Sequence, residues 1–194
     1  VKNFDAVIVF TFSKVNKQLL DNLKNLKFIA TMSTGFDHID LDECKKRKIV
    51  VSNVPTYGEN TVAEHAFGLM LSLSKKIPHA VERTKKGYFN VHGLFGFDLK
   101  GKTLGVVGVG HIGEHVIKIA KGFDMKVLGF SPHPDKKLAK ELGFKYASLD
   151  ELLSKSDIIT LHMPMNEHTF HFLGKEEFKK MKKGVYIINT ARGG

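Results

Sequence analysis

Cysteine is nearly absent from this chain of 194 residues, which contains only Cys44. A single cysteine cannot form a disulfide within the chain, so a disulfide-stabilised scaffold is excluded and a reducing compartment is favoured. A run of about 18 apolar residues, which a membrane-spanning helix would need, is also lacking. No signal peptide is visible, although the chain begins with Val1. We therefore predict a cytoplasmic protein without a membrane partner, and we expect Cys44 to be a half-buried helix residue.

Acidic residues are outnumbered by basic residues, 20 against 30, which gives a net charge of +10. Such an excess can indicate a nucleic-acid partner. The lysines, however, lie in separate groups beside amphipathic helical patterns, and no basic stripe is interleaved with aromatic residues. This distribution is typical of solvated helix faces, so we predict no nucleic-acid partner.

Short apolar runs alternate with amphipathic segments, which predicts an α/β protein with parallel strands. The runs are rich in valine and isoleucine and lack polar alternation, as expected for strands buried on both faces. Strands are predicted at residues 6–10, 28–31, 50–53, 103–107, 126–130, 158–162 and 185–189. Helices are predicted at residues 16–24, 41–47, 112–123, 137–142, 149–154 and 175–182.

The longest helical pattern begins at Thr61, where Thr61 and Glu64 have the spacing of a capping box. Apolar residues then recur at spacings of three and four as far as Ile77. A face this broad predicts packing on two sides, one of them against a second subunit, so we expect a homodimer. Pro78 should kink or end the helix, and residues 87–101, with four glycines, should form a loop.

A glycine turn at residues 108–113 reads Gly-Val-Gly-His-Ile-Gly and matches the pattern G-x-G-x-x-G. It follows a predicted strand and opens a predicted helix, and a second strand comes next, which is the setting of a βαβ unit. There Gly108 permits the tight turn, Gly110 lets the backbone approach a pyrophosphate, and Gly113 lets helix and strand pack closely. The helix N-terminus supplies amides to the phosphates. The motif predicts a dinucleotide-binding site; the alternative is a ligand-free turn.

Ser131 stands at the end of the second strand, where an acidic residue would hold the ribose 2′-hydroxyl of the dinucleotide. Serine can still hydrogen-bond a hydroxyl, and it removes the negative charge that would repel the 2′-phosphate of NADP. His133 and Lys136 follow, but no arginine does. We predict NAD as the cofactor, with NADP left open because Ser131 replaces the usual acid.

Residues that follow the carboxyl ends of the predicted strands are candidates for a site, because ligands bind there in open parallel sheets. Arg192 is the only arginine among them. It could form paired hydrogen bonds to a carboxylate or polarise a carbonyl oxygen, although an ordinary surface arginine is the alternative.

The order of these motifs resembles that of the D-isomer-specific 2-hydroxyacid dehydrogenases. The matching segments are Ser-x-Gly-hydrophobic-Asp-x-Ile-Asp at 33–40, Asn-Val-Pro…Val-Ala-Glu-His at 53–65, the glycine turn, Leu-His-x-Pro at 161–164 and Ile-Asn-Thr-Ala-Arg-Gly at 188–193. Tyr57 and Phe36-Asp37-His38 resemble D-lactate dehydrogenase-like members most. The resemblance implies a Rossmann-like doubly wound parallel sheet in residues 58–194, joined to part of a flavodoxin-like substrate domain in residues 1–57.

The resemblance also implies residue roles, with the active site in a cleft between the two lobes. Arg192 is the catalytic residue that binds the substrate carboxylate and polarises the reacting carbonyl. On the substrate side, Thr34 and Gly35 offer backbone amides, Tyr57 borders the pocket and Asn60 lies near the nicotinamide. On the cofactor side, His111 and Ile112 cover the pyrophosphate, Met163, Pro164 and Thr169 line the adenosine, and Thr190 contacts the cofactor.

The family's acid/base histidine and its glutamate partner come after the arginine, so we expect both beyond Gly194. On this reasoning the chain is a fragment truncated at both ends and is inactive alone. No metal site is expected, because His168 and His171 have the spacing of ligands but lack a third.

The activity implied is hydride transfer between a nicotinamide cofactor and a D-2-hydroxy acid/2-oxo acid pair, such as D-lactate and pyruvate. The alternative is a non-catalytic, corepressor-like protein that senses the dinucleotide. Turnover of a 2-oxo acid by the full-length protein would separate the two.

Overall fold

The computed structural model describes residues 3–193 and divides the chain into two compact units, Val1–Gly58 and Glu59–Gly194. Each unit has its own parallel sheet. Among residues 3–193, the buried apolar side chains form one cluster in the first unit and two clusters in the second. The two units are therefore described separately.

The first unit contains a three-stranded parallel sheet in the order β1-β2-β3. Its elements are β1 (Ala6–Val9), α1 (Lys17–Asp21), β2 (Phe28–Thr31), α2 (Leu41–Lys46) and β3 (Val50–Ser52). Both helices begin at a side-chain cap, because Asn16 accepts a hydrogen bond from the Leu19 N–H and Asp40 accepts one from the Glu43 N–H.

One face of this sheet packs on a core that includes Ile29 and Cys44. Cys44 lies in α2 and is fully buried rather than half-buried as expected, and burial raises the pKa of its thiol. The opposite face carries Ile8 and Val50, which are 71% and 61% exposed. The prediction of strands buried on both faces is therefore wrong for this sheet.

The second unit contains a five-stranded parallel sheet in the order β6-β5-β4-β7-β8. From β4 the chain adds β5 and β6 on one side of the sheet and then β7 and β8 on the other side. This order is that of a doubly wound, Rossmann-like sheet. The predicted α/β fold class is confirmed. The strands are β4 (Thr103–Val107), β5 (Lys126–Phe130), β6 (Lys145–Tyr146), β7 (Ile158–Leu161) and β8 (Tyr186–Asn189).

Six helices accompany this sheet in the described chain, and the longest, α3, packs against α5 with Phe67 stacked on Phe123 at 5.4 Å between ring centroids. The helices are α3 (Glu59–Ser74), α4 (Ile77–Lys85), α5 (His111–Gly122), α6 (Lys136–Leu142), α7 (Leu149–Lys155) and α8 (Lys175–Lys180). Between residues 3 and 193, no helix combines the length and apolar character that a membrane crossing requires.

The long helix differs from its prediction at both ends. It begins at Glu59 rather than at Thr61, so the predicted capping box is wrong, and the Glu64 carboxylate instead accepts a hydrogen bond from Asn60 Nδ2 at 2.6 Å. It ends at Ser74, and Pro78 lies in the first turn of the separate helix α4. Proline fits there because first-turn amides have no intrahelical acceptor.

Candidate functional site

The glycine turn joins β4 to α5, and its three glycines are required for different reasons. Gly108 has a φ of +94°, and a Cβ there would lie 2.7 Å from the His162 carbonyl. A Cβ at Gly113 would lie 2.3 Å from the carbonyl oxygen of Gly108. A Cβ at Gly110, by contrast, would have nothing within 4 Å. The fold itself therefore needs Gly108 and Gly113, whereas Gly110 faces open space.

This open space fits the pyrophosphate of a dinucleotide. Gly110 is the N-cap of the 12-residue helix α5 and contributes no side-chain cap. The first-turn amides of α5, including those of His111 and Ile112, have no acceptor within the helix. These amides and the positive end of the helix dipole are what a phosphate requires.

Ser131 lies directly after β5, as predicted, at the side of the glycine turn. The Phe130 carbonyl accepts a hydrogen bond from the Gly108 N–H at 2.9 Å, which ties the end of β5 to the turn. The Ser131 hydroxyl accepts a hydrogen bond from the His133 N–H at 3.2 Å. This local turn holds the hydroxyl next to the glycine turn.

His162 connects the loop after β7 to the residue after β8. Its Nε2 lies 2.8 Å from Thr160 Oγ1, and its Nδ1 lies 3.5 Å from Thr190 Oγ1. Burial lowers the pKa of His162 to about 4. The ring is therefore neutral at pH 7, and the same residue packs its backbone against Gly108.

The loop after β7 is closed by Thr169, whose hydroxyl donates to the Pro164 carbonyl at 2.6 Å and accepts from the Asn166 N–H at 2.8 Å. A cavity of about 230 Å³ lies between this loop and the end of β8. The structure thus brings together four of the predicted residues around one cavity. They are Met163, Pro164, Thr169 and Arg192.

The turn that carries Arg192 is braced by Asn189, a residue that the sequence analysis did not single out. Asn189 Oδ1 accepts a hydrogen bond from the Ala191 N–H, and Asn189 Nδ2 donates to the Arg192 carbonyl, both at 2.9 Å. An asparagine at the end of a strand is a known signal for such a turn. The bracing fixes the backbone at Arg192.

The predicted substrate-side residues fall on both units. In the first unit, the Thr34 hydroxyl donates to the Val54 carbonyl and the Thr34 carbonyl accepts from Asn53 Nδ2, both at 2.9 Å. The Gly35 carbonyl accepts from a serine hydroxyl at 2.7 Å, and Tyr57 is 64% exposed. Asn60 belongs to the second unit, in the first turn of α3.

Within residues 3–193, no group of three or more His, Cys, Asp or Glu side chains could hold a metal ion.

Comparison with known proteins shows the family. Residues 67–194 match the D-isomer specific 2-hydroxyacid dehydrogenase, NAD binding domain. The D-lactate dehydrogenase of Escherichia coli is 42% identical over 191 residues, which are 97% of this chain and 58% of that protein. An aromatic 2-oxoacid reductase of Clostridium sporogenes is 43% identical over 195 residues, which are 99% of this chain and 58% of that protein.

A crystal structure of D-lactate dehydrogenase from Aquifex aeolicus, complexed with NAD and lactic acid, superposes with a TM-score of 0.94 at 44% identity. The match covers 99% of this chain and 58% of that one, so the chain spans less than two thirds of the length of these relatives. The chain belongs to the D-isomer specific 2-hydroxyacid dehydrogenase family, and residues 67–194 of its second unit match the family's NAD-binding domain, with NAD as the cofactor.

Proposed function

We propose that the full-length protein is an NAD-dependent oxidoreductase that interconverts D-2-hydroxy acids and 2-oxo acids, with D-lactate and pyruvate as its favoured pair. One observation carries the proposal. Arg192, which follows the carboxyl end of β8, lies on a braced turn and lines the same cavity as Met163, Pro164 and Thr169. NAD, when bound, supplies or accepts the hydride.

The protein's own groups have distinct roles in this proposal. The Arg192 guanidinium binds the substrate carboxylate and polarises the reacting carbonyl, since its planar donors match a carboxylate in pairs. Thr34 and Gly35 offer backbone amides to the same carboxylate, Tyr57 borders the pocket, and Asn60 lies near the nicotinamide. The cofactor is held by Gly108, Gly110, His111, Ile112, Gly113, Ser131, Met163, Pro164, Thr169 and Thr190.

We also propose that the full-length protein is a homodimer. The supporting feature is the face of α3 that does not contact α5, where Leu69 and Leu73 are 37% and 46% exposed. In the loop after α4, Phe89 and Phe95 are 80% and 76% exposed. Apolar surface of this kind is typical of an interface between subunits.

The test is an assay of the full-length protein with NADH and three 2-oxo acids: pyruvate, glyoxylate and phenylpyruvate. We expect pyruvate to give the highest kcat/KM. Arg192→Gln should lower kcat/KM by at least about 100-fold, because a donor to the developing negative charge is lost. Lys155→Gln removes one positive charge from an exposed helix position and should have no effect.

Two results would contradict the proposal. Tight NAD binding without turnover of any of the three acids would instead indicate the non-catalytic sensor. Full activity in a folded Arg192→Gln variant would remove Arg192 from the reaction.

A further inference from the structure

A second cavity, of about 270 Å³, lies at the opposite edge of the five-stranded sheet from the glycine turn. Its lining includes Lys102 just before β4, Asp157 just before β7, and Lys182 and Lys183 shortly before β8. The amino ends of these adjacent parallel strands meet at one edge, and their carboxyl ends meet at the other. Since β4 has five residues, the two edges are roughly 15 Å apart.

The charge inside this cavity is organised around Asp157. Its Oδ2 accepts the Thr103 N–H at 2.8 Å, and its Oδ1 accepts Lys182 Nζ at 2.9 Å. Although partial burial opposes ionisation, these hydrogen bonds hold the pKa of Asp157 below its ordinary value. Asp157 is therefore charged at neutral pH and balances Lys182.

Lys102 and Lys183 remain as a surplus of two positive charges. In the part of the chain that the structure describes, neither ammonium group takes part in an ion pair, whereas twelve other pairs are formed. Asp157 also attracts Lys102 electrostatically, so three lysines of the lining share one carboxylate. An anion bound among them would balance the two surplus positive charges.

An aromatic wall closes one side of the cavity. Phe97 stacks on Tyr186 with 5.1 Å between ring centroids and 28° between ring planes. Lys102 Nζ lies 5.9 Å from the centroid of the Phe97 ring, which is a cation–π distance.

We propose that this cavity, the amino-edge pocket, binds a small multivalent phosphate anion of the size of pyrophosphate. The two unpaired ammonium groups match a ligand with at least two negative charges, because a monovalent anion would leave one of them unbalanced. The volume lies just below the roughly 300 Å³ at which pockets for larger organic ligands begin. The pocket is therefore a second anion site, separate from the phosphate site at α5.

The test is calorimetric titration of the full-length protein with inorganic pyrophosphate in the presence of saturating NAD. NAD occupies the glycine turn, so pyrophosphate cannot bind there, and the pocket variants assign the remaining heat to the amino-edge pocket. Lys102→Gln and Lys183→Gln should each weaken pyrophosphate binding about tenfold, since each removes a charge-assisted contact. Both variants should bind NAD as the wild type does.

Lys179→Gln is the matched control, because it removes the same charge from the exposed face of α8, outside the pocket. It should change the Kd for pyrophosphate less than twofold. The proposal is overturned if pyrophosphate does not bind once NAD is saturating. It is also overturned if the pocket variants bind as the wild type does, or if Lys179→Gln weakens binding as much as they do.

Discussion

Gly110 and Gly113 lie three residues apart in one turn, yet a side chain has opposite consequences at the two positions. At Gly113 a Cβ would meet the rigid carbonyl of Gly108 at 2.3 Å, so a substitution there strains the fold. At Gly110 a Cβ would meet no protein atom within 4 Å, so a side chain there would clash only with the bound cofactor. The two positions therefore separate stability from binding.

Gly110→Asp should weaken the affinity for NAD by at least about 100-fold while leaving the protein folded. Aspartate is a preferred N-cap, so the free energy of unfolding should stay equal or rise by up to about 1 kcal/mol. Gly113→Ala should instead lower the free energy of unfolding by about 1–3 kcal/mol. Urea unfolding and NAD calorimetry on the same samples measure both quantities.

Gly122→Ala is the control for these substitutions, because a Cβ there also meets nothing within 4 Å but lies at the far end of α5. It should bind NAD normally. Normal NAD binding by Gly110→Asp would show that the pyrophosphate does not lie at this turn.

Ser131 should set how strongly the protein prefers NAD over NADP. An aspartate would accept both ribose hydroxyls through charge-assisted bonds and would repel a 2′-phosphate. Ser131→Asp in the full-length protein should therefore lower the ratio of kcat/KM for NADP to that for NAD by at least about tenfold, or about 1.4 kcal/mol. An unchanged ratio would show that Ser131 does not lie at the ribose.

His162 should make the stability of the second unit depend on pH. Its pKa is about 4 in the folded protein, against 6.5 for the free side chain. The unfolded chain thus binds a proton between these values that the folded chain does not, so stability falls as the pH falls from about 6.5 to about 4. The full effect is at most roughly 3 kcal/mol.

His162→Gln should flatten this dependence, whereas His65→Gln, at an exposed position of α3, should not. Urea unfolding followed by circular dichroism between about pH 7 and about pH 4.5 measures the difference between the slopes. Equal slopes for the wild type and His162→Gln would mean that the ring is accessible to protons in the folded state.

At the level of elements, the sequence predicted every strand that carries the site, because buried parallel strands are uninterrupted apolar runs. It missed β6, which has only two residues and no period to detect. It also missed α4, because Pro78 was interpreted as the end of a helix although proline fits a first turn equally well. The predicted cap at Thr61 failed because Glu64 bonds to Asn60 instead.

The site was predictable where a motif carries its own geometry. The spacing of Gly108, Gly110 and Gly113 predicted a tight turn, a position where the backbone can approach a ligand, and a close contact between helix and strand. Asn189 at the end of a strand was a signal for the turn that it braces at Arg192, although the sequence analysis did not use it. The closure of a loop by Thr169 was not predictable, because it depends on contacts that only the folded backbone defines.

Helix α3 should provide part of a dimer interface. Leu73 is 46% exposed on the face that does not pack on α5, whereas Met70, three residues earlier, is buried. Leu73→Asp should therefore make the full-length protein monomeric at micromolar concentration, because it removes apolar area from the interface. It should not unfold the protein, because the side chain of Leu73 is not part of the core. Light scattering measures the mass. A wild type that is monomeric at this concentration would contradict the prediction.

At the scale of the whole molecule, the important feature is that the two units have separate cores. The cluster around Ile29 lies within the first unit, and the clusters around Leu104 and Ile159 lie within the second. The glycine turn and its neighbours belong to the second unit only. NAD binding should therefore raise the stability of the second unit against unfolding.

NAD at about 100 times its Kd should stabilise the second unit against unfolding by about 2.7 kcal/mol. Slowly exchanging backbone amides of β4, β5 and β7 should then gain protection of up to about 100-fold, since they exchange only when that unit unfolds. Amides of β2, in the first unit, should gain little because unfolding of that unit does not release the cofactor. Hydrogen exchange with mass spectrometry on this chain, with and without NAD, measures both groups of peptides, with Gly110→Asp as the non-binding control. An equal gain in β2 and β4 would mean that the two units unfold as one, and the separate cores would then not be separate units of stability.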